Sequence, residues 1–403
     1  RRWRTAPSSA DDGAVLSAVT MIRYWLSLGA GAASAFSSAA SAQIKIGVAG
    51  PITGPNAAFG AQLKNGVEQA VEDINAAGGV LGMKIELVYE DTQSNKVNVP
   101  NVVRKLIEQD KVVALLGEIA SSNSIAAGPV LMELKRPAIA PTSTNPNVVM
   151  DPNDTTKLNP WYFRACFIDS VQGRVAANFV YNTLKKTKAA LLYNIAQDYS
   201  KGLAQYFSEQ FKKLGGTIVG EETFPDLTQD FKPQLTKIKG LKPEVIIGPN
   251  NYDANGLILR QMMELGMSNI PFMGTDSTHA PKIIEIAGID ALRNTYLTTL
   301  YVDDDPDPKA MAFAKKYRDA FNSEPNSNAC FSYEAMVVLA EAIKKAGSTD
   351  PTAIRAALEN ISNISVPSGT FTMDPKTHNP LDKMVLVVKI NEKGFTYVEK
   401  VKP

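Results

Sequence analysis

Residues 112–129 read VVALLGEIASSNSIAAGP. A run of β-branched and aliphatic residues, the mark of a buried strand, ends at Gly117. Within three residues it passes into a cluster of hydroxyls and an amide, Ser121-Ser122-Asn123-Ser124, and then into an alanine-rich segment that reads as a helix. Ser and Asn at the head of a helix satisfy its orphan backbone N–H groups. The same N–H groups, at the positive end of the helix dipole, also receive anions. The stretch therefore supports two readings, a cap or an anion seat, in a chain where strands hand over directly to helices.

The handover repeats outward in both directions. IKIGVAG (44–50) is a strand, and Ala58 to Ala77 is a helix with Leu63, Val67, Ala70, Val71 and Ile74 on one face. GGVLG is a turn, KIELVYED a strand, and Val97 to Gln109 a helix; VVALLG and PAIAP continue the series. Repeated β-α-β units predict a parallel sheet covered by helices on both faces. After Arg164 the pattern restarts, with helices SVQGRVAANFVYNTL, GLAQYFSEQFKKLG, DFKPQLTKIKGL and ANGLILRQMMELG among strands AALLYN, GTIVGEETF, EVIIGP and IPFMGT. A third stretch holds the helices KAMAFAKKYRDAF, SYEAMVVLAEAIKKAG and TAIRAALENI, then a terminal strand pair around GTFTM and MVLVVKI. The expected fold is α/β, with two doubly wound, Rossmann-like lobes of similar size.

The chain has 403 residues, enough for two lobes each with its own core, and is 44% hydrophobic and 21% charged, ordinary for a soluble globular protein. Its formal charge is +1; residues 1–42 contribute a surplus of two positive charges, so the remainder stands at −1 and offers no basic face to a nucleic acid. From Met21 the chain reads MIRYWLSLGAGAASAFSSAASAQ. An Arg, a short apolar centre and Ala40-Ser41-Ala42 are the layout of a secretory leader cleaved before Gln43, with residues 1–20 an upstream extension. The absence of a Cys after that point argues against a lipid anchor. Two cysteines, Cys166 and Cys330, and two histidines, His279 and His378, have no metal-ligand spacing, so neither a metal nor another cofactor is expected. Pairing of the cysteines stays open.

In open α/β sheets ligands bind beyond the carboxyl ends of strands. Those positions here are residues 50–55, 118–124, PTSTNP (141–146), Gln197-Asp198-Tyr199, Asn250-Asn251-Tyr252 and Thr275-Asp276-Ser277. They are mostly hydroxyl, amide, aromatic or acidic. Turn chemistry alone favours many of these residue types, but their joint placement in two lobes points to a shared cleft.

These segments, IKIGVAGPITGPNAAFG, AVEDINAAGGVLG, LVYEDTQSN, LLGEIASSNS, PAIAPTSTNP, FRACFIDSVQG, FMGTDS and DPDPKAMAFAKKYR, resemble in order and spacing the periplasmic leucine/isoleucine/valine-binding protein family. Those proteins are the type I solute receptors of branched-chain amino-acid ABC importers. The resemblance implies the periplasmic binding protein-like I fold, two lobes joined by three hinge strands near Phe163–Cys166, Leu300–Val302 and Pro367–Thr370. It divides the chain into residues 43–164 with 302–367 and residues 165–301 with 368–403. It implies a monomer in the periplasm that captures an amino acid, aliphatic or branched-chain, and delivers it to a membrane permease. Ser121 and Thr144 match positions that bind the ligand's α-carboxylate, and Ser122 belongs to the same ligand set. Thr142 matches a carbonyl that accepts from the α-ammonium, and Asp276 the acid that pairs with it. Phe59, Tyr199, Asn251 and Tyr252 match positions that line the side-chain pocket or close over the ligand. Family members can carry Trp at the position of Phe59, Tyr at that of Asn251, and a disulfide where Gln93 and Ala120 stand, so the resemblance implies a roomier, more polar pocket here. Charge-assisted hydrogen bonds of roughly 1.5–3 kcal/mol each would together give micromolar or tighter binding.

Enzymatic readings find little support. There is no G-x-S-x-G elbow, His279 reads as a loop or helix-start residue, and GPITGP after the first strand lacks the glycines that a dinucleotide requires. Other ligands within the receptor reading are short amides or urea and aromatic acids; a ligand-sensing role for a chemoreceptor would use the same fold.

Overall fold

The computed structural model describes residues 43–302, 305, 307–381 and 383–401. The expected leader and upstream extension lie outside them. The chain opens with strand β1 (Gln43–Gly50), helix α1 (Ala57–Ala76), β2 (Lys84–Asp91), α2 (Val99–Glu108), β3 (Ala114–Leu116), α3 (Ser121–Glu133) and β4 (Ala138–Ala140). A small antiparallel hairpin, β5 (Met150–Asp151) with β6 (Asp154–Leu158), precedes β7 (Tyr162–Arg164). These strands form a five-stranded parallel sheet in the order β2-β1-β3-β4-β7. The order reverses at β1, which is flanked by β2 on one side and β3 on the other, so a cleft opens beyond the carboxyl ends of β1 and β3.

The second sheet repeats the plan. Helix α4 (Asp169–Asn178), prolonged by a π-turn, leads into β8 (Lys188–Asn194), α5 (Asp198–Lys213), β9 (Thr217–Phe224), α6 (Lys232–Gly240), β10 (Val245–Ile247), α7 (Tyr252–Glu264) and β11 (Phe272–Gly274). Short helices α8 (Lys282–Ala287) and α9 (Ile289–Leu292) precede β12 (Thr295–Thr299). Strand order here reverses at β8, which lies between β9 and β10. The two reversals bring together the loops around residues 51–56 and 117–123 in one sheet and 195–198 and 248–251 in the other.

The remaining helices are α10 (Pro308–Phe321), α11 (Ser327–Ala346) and α12 (Pro351–Glu359). α10 and α11 pack on α1, and the α1–α11 approach depends on Gly66, where a Cβ would lie 2.2 Å from the Ala329 carbonyl oxygen. The apolar pattern predicts a helix from Ser332. The helix begins five residues earlier because the Asn326 side chain accepts from the Asn328 and Ala329 amides and caps it.

The expected pairing of GTFTM with MVLVVKI is corrected by the structure. GTFTM supplies β14 (Gly369–Phe371), which pairs with β13 (Ile364–Val366) in a separate hairpin. MVLVVKI supplies β15 (Val385–Asn391), which runs antiparallel to β12 and to β16 (Gly394–Val401), completing a seven-stranded sheet in the order β16-β15-β12-β11-β10-β8-β9. Both segments were legible as strands, but partner choice is a nonlocal matter of which edge is free.

A ring of buried contacts fixes the segment that joins these hairpins. Lys383 Nζ donates to Glu334 Oε2 at 2.7 Å and to Ser368 Oγ at 2.6 Å, while His378 stacks on Phe163 at 4.2 Å and its Nδ1 meets the Tyr162 carbonyl at 2.9 Å. Cys166 and Cys330 are both buried, free thiols. One apolar core, running from Ile44 to Ile390, fills the faces of both sheets; a second, including Leu106, Leu131 and Trp161, covers the other face of the first sheet. Each such side chain contributes roughly 1.5–3 kcal/mol by leaving water.

Candidate functional site

The hydroxyls that open α3 do not cap it. The cap position is Ala120, with no side-chain cap. Ser121 Oγ instead accepts from the Asn145 amide at 3.2 Å, and Ser122 Oγ accepts from the Asp198 amide at 3.0 Å and donates to Gln197 at 3.3 Å. Ser124 bonds to Ser143 and to the Glu118 carbonyl. The serines thus hold neighbouring loops, and the positive end of the α3 dipole stays open to an anion.

The loop after β4 is held from beneath. Arg164, fully buried at the end of β7, donates to the carbonyls of Thr144 at 2.7 Å and Asn145 at 2.8 Å. Its guanidinium, together with the Asp169 amide on the Thr144 carbonyl, orients the Thr144–Pro146 backbone. The Thr142 hydroxyl donates to Asn328 Oδ1 at 2.9 Å. Thr144 Oγ1 is buried with no well-formed hydrogen bond.

Asp276 opens a single 3-10 turn after β11, framed by a Thr275–Thr278 capping box. Its Oδ1 accepts from Gln172 Nε2 at 2.7 Å and from the Tyr199 hydroxyl at 2.6 Å. Burial raises its pKa, while the bonds from Tyr199 and Gln172 pull the other way. Burial, and next the Asp276 charge, hold the Tyr199 phenol well above its usual range. Asp169 is a second buried acid, and its pKa is also raised, first by burial, while the nearby Thr144 hydroxyl pulls the other way. His279, which follows the turn, is buried with Nδ1 at 2.9 Å from Thr299 Oγ1, and burial pushes its pKa down to about 4. It is a neutral packing residue.

The two sheets meet above these groups. Tyr252 reaches across to the Pro55 carbonyl at 3.0 Å, Asn251 Nδ2 to Asn56 Oδ1 at 3.2 Å, and Asn145 Nδ2 to the Asp198 carbonyl at 2.8 Å. Phe59 packs edge-on against Tyr252, ring centres 4.8 Å apart. Between them is an inner cavity of about 30 Å³, lined by Phe59, Thr142, Asn251 and Asp276 among the expected residues. A larger outer cleft of about 690 Å³ includes Ser122 and Asn251. Ser121, Thr144, Tyr199 and Tyr252 line neither; Tyr199 bonds to Asp276 and Tyr252 packs on Phe59, both of which line the inner one, while Ser121 bonds to Asn145 next to Thr144. The larger cleft is not where the chemistry converges, because the open helix terminus and the buried acid both border the small one.

The inner wall also contains Ile119, Ala120 and Ser277, from loops that the sequence pointed to, and Asn56, Ser327 and Asn328, from outside those loops. For Ser327 and Asn328 the signal was present: NSNA at 326–329 is an N-cap sequence, which would have put them at a helix start instead of in a linker. Nothing local tells that this helix start faces Thr142.

The open strand-end cleft between two doubly wound sheets defines a bilobed solute-receptor architecture, and the chain belongs to the periplasmic binding protein family, whose model matches residues 43–394. An amino acid binding protein of Pseudomonas aeruginosa is 36% identical over 326 residues, 81% of this chain and 85% of its own. Among solved structures, a leucine-binding protein from Thermotoga maritima superposes with a TM-score of 0.83 at 32% identity, covering 89% of this chain and 99% of that one. The branched-chain amino acid transporter substrate-binding protein of Streptococcus pneumoniae, in complex with isoleucine, gives 0.82 at 30% identity, covering 90% and 100%. The fold and the family therefore agree with the resemblance carried by the sequence segments.

Proposed function

We propose that this protein is the solute-binding subunit of an ABC importer for an amino acid, aliphatic or branched-chain, and acts by binding rather than catalysis. The observation that carries this reading is the pairing of opposite ends across one cavity. Ala120 at the uncapped head of α3 lines it from the first sheet, and buried Asp276 lines it from the second. An aligned set of backbone donors suits a carboxylate, and a desolvated acid suits an ammonium. Together they complement a zwitterion.

In this reading Ser121, Ser122 and Thr144 serve the carboxylate, the Thr142 carbonyl and Asp276 the ammonium, and Phe59, Asn251 and Tyr252 the side chain. Tyr199 and Gln172 fix the Asp276 carboxylate. The lobes are residues 43–164 with 302–383 and residues 165–301 with the strands from Val385 onward, in place of a third crossing near Pro367–Thr370. Because Ser368, His378 and Lys383 bond to Glu334 and Tyr162, we place the third crossing between Lys383 and Val385. Hinge closure over the ligand would report occupancy to a membrane permease, with the protein working as a periplasmic monomer after cleavage at Ala42. The support is the family match together with the names of relatives that bind leucine and isoleucine.

A thermal-shift screen of the protein from Gln43 onward tests it, using amino acids, short amides and aromatic acids. A cognate ligand at 100 times its Kd adds about 2.7 kcal/mol of stability. Stabilisation by leucine, isoleucine or valine is expected. Stabilisation by an amide or aromatic acid alone, with no amino acid active, would refute the assignment.

A further inference from the structure

The inner cavity of about 30 Å³ has room for about two waters and none for a branched side chain beside a zwitterionic end. The space that adjoins it is the outer cleft of about 690 Å³, within the range typical of sites for small organic ligands. The two cavities have just two lining residues in common, Asn56 and Asn251. These are the side chains that bond to one another across the lobes at 3.2 Å. Asn56 caps α1 and Asn251 caps α7 by position, yet neither side chain makes a cap bond to its own helix, so the pair is free to exchange its mutual bond for one to a ligand. It forms a polar gate between a chamber for the backbone end of a ligand and a chamber beyond.

The far chamber has a distinct chemistry. Two acids, Asp226 and Asp253, line it against one basic residue, Lys96. Asp226 Oδ1 accepts from Asn194 and Gln197, which leaves Oδ2 outside both bonds. The carboxyl of Asp253 is mostly buried, and burial, with a smaller contribution from Asp226, raises its pKa. A carboxyl withdrawn from water with a second carboxylate nearby gains when a cation or a strong donor comes between them. Leu257 and Leu227 supply the apolar wall on which a methylene stem can lie.

We propose that the outer cleft is an accessory subsite for the distal end of a long ligand side chain bearing a cationic or amide donor, which enters between Asn56 and Asn251. This deepens the proposed function and rests on it: the zwitterionic end is held as described above, and the ligand range extends from aliphatic amino acids to those ending in a guanidinium, ammonium or carboxamide. Asn56 and Asn251 are the specificity-determining pair, and Asp226 and Asp253 the groups that reward the donor.

Calorimetry with L-leucine, L-norleucine and L-arginine tests this on the wild type and on the double variant Asp226→Asn/Asp253→Asn. The expected result is arginine bound at least tenfold more tightly than norleucine by the wild type. The double variant should lose at least tenfold for arginine while leucine stays within twofold, which also shows that it folds. Leucine bound by the wild type with arginine no better than norleucine overturns the subsite alone, and this ratio decides the matter even if the double variant fails to fold. Arginine affinity unchanged in a double variant that still binds leucine overturns it as well. No binding of any of the three amino acids overturns the proposed function and the subsite with it.

Discussion

Replacing Asp276 by Asn separates a receptor for amino acids from one for simple acids. The carboxylate is 7% exposed and held through Oδ1 by Gln172 and Tyr199. Asn preserves the shape and most of the bonds while removing the charge, so the variant tests electrostatics rather than packing. Truncating a buried charge pair costs roughly 2–5 kcal/mol, because the partner ammonium remains desolvated without a counter-charge. That corresponds to a loss of about 30-fold to 5,000-fold in affinity for the amino acid. The 2-oxo analogue has no ammonium and places a second acid in the cleft with Asp276, where like charges repel in a low-dielectric space. Its binding should change little or improve in the variant. Calorimetry at neutral pH with leucine and 4-methyl-2-oxopentanoate on both proteins measures all four affinities. Equal wild-type binding of the two ligands together with an unchanged variant would refute the zwitterion reasoning and leave Asp276 as a turn residue.

Two further outcomes concern stability. Burial raises the pKa of Glu118, fully enclosed after β3, to about 7 from its usual 4.5. The folded state therefore holds a proton that the unfolded state has released. Stability is greatest below about pH 4.5 as far as this group is concerned, and falls as pH rises to about 7, by on the order of 3 kcal/mol. Urea unfolding of wild type and Glu118→Gln across that range should give a difference that grows with pH in the variant's favour; parallel curves would contradict this. Gly66→Ala should destabilise by roughly 1–3 kcal/mol despite alanine's better helix propensity, because the new methyl meets the rigid Ala329 carbonyl at 2.2 Å. Gly240→Ala, at the open end of α6 where nothing lies within 4 Å, should be neutral or slightly stabilising; equal melting temperatures for the two variants would show that α1 and α11 can move apart freely.

The sequence by itself determined the alternation of strands and helices, and with it the doubly wound plan. Period-2 and period-3.6 patterns are local properties, and IKIGVAG, KIELVYED and the face of α1 display them within a few residues. It also determined which loops matter, since ligand loops of such sheets must follow strands. What only the tertiary structure decided was partnership. The Ser121–Ser124 hydroxyls, legible as caps, hold Asn145, Asp198 and Ser143 instead, because those loops arrive from strands dozens of residues away. MVLVVKI was visible as a strand but not as the partner of Thr295–Thr299 and Gly394–Val401. Asn56 lies between the GPITGP loop and the helix expected from Ala58, and Asn251 was legible as a strand-end loop residue; that they meet at 3.2 Å and divide the inner cavity from the outer cleft depends on how two sheets are set against each other. A pattern of hydrophobicity specifies which face of an element is buried, but contact between polar residues far apart in sequence is fixed only when the packed cores set the positions of their backbones.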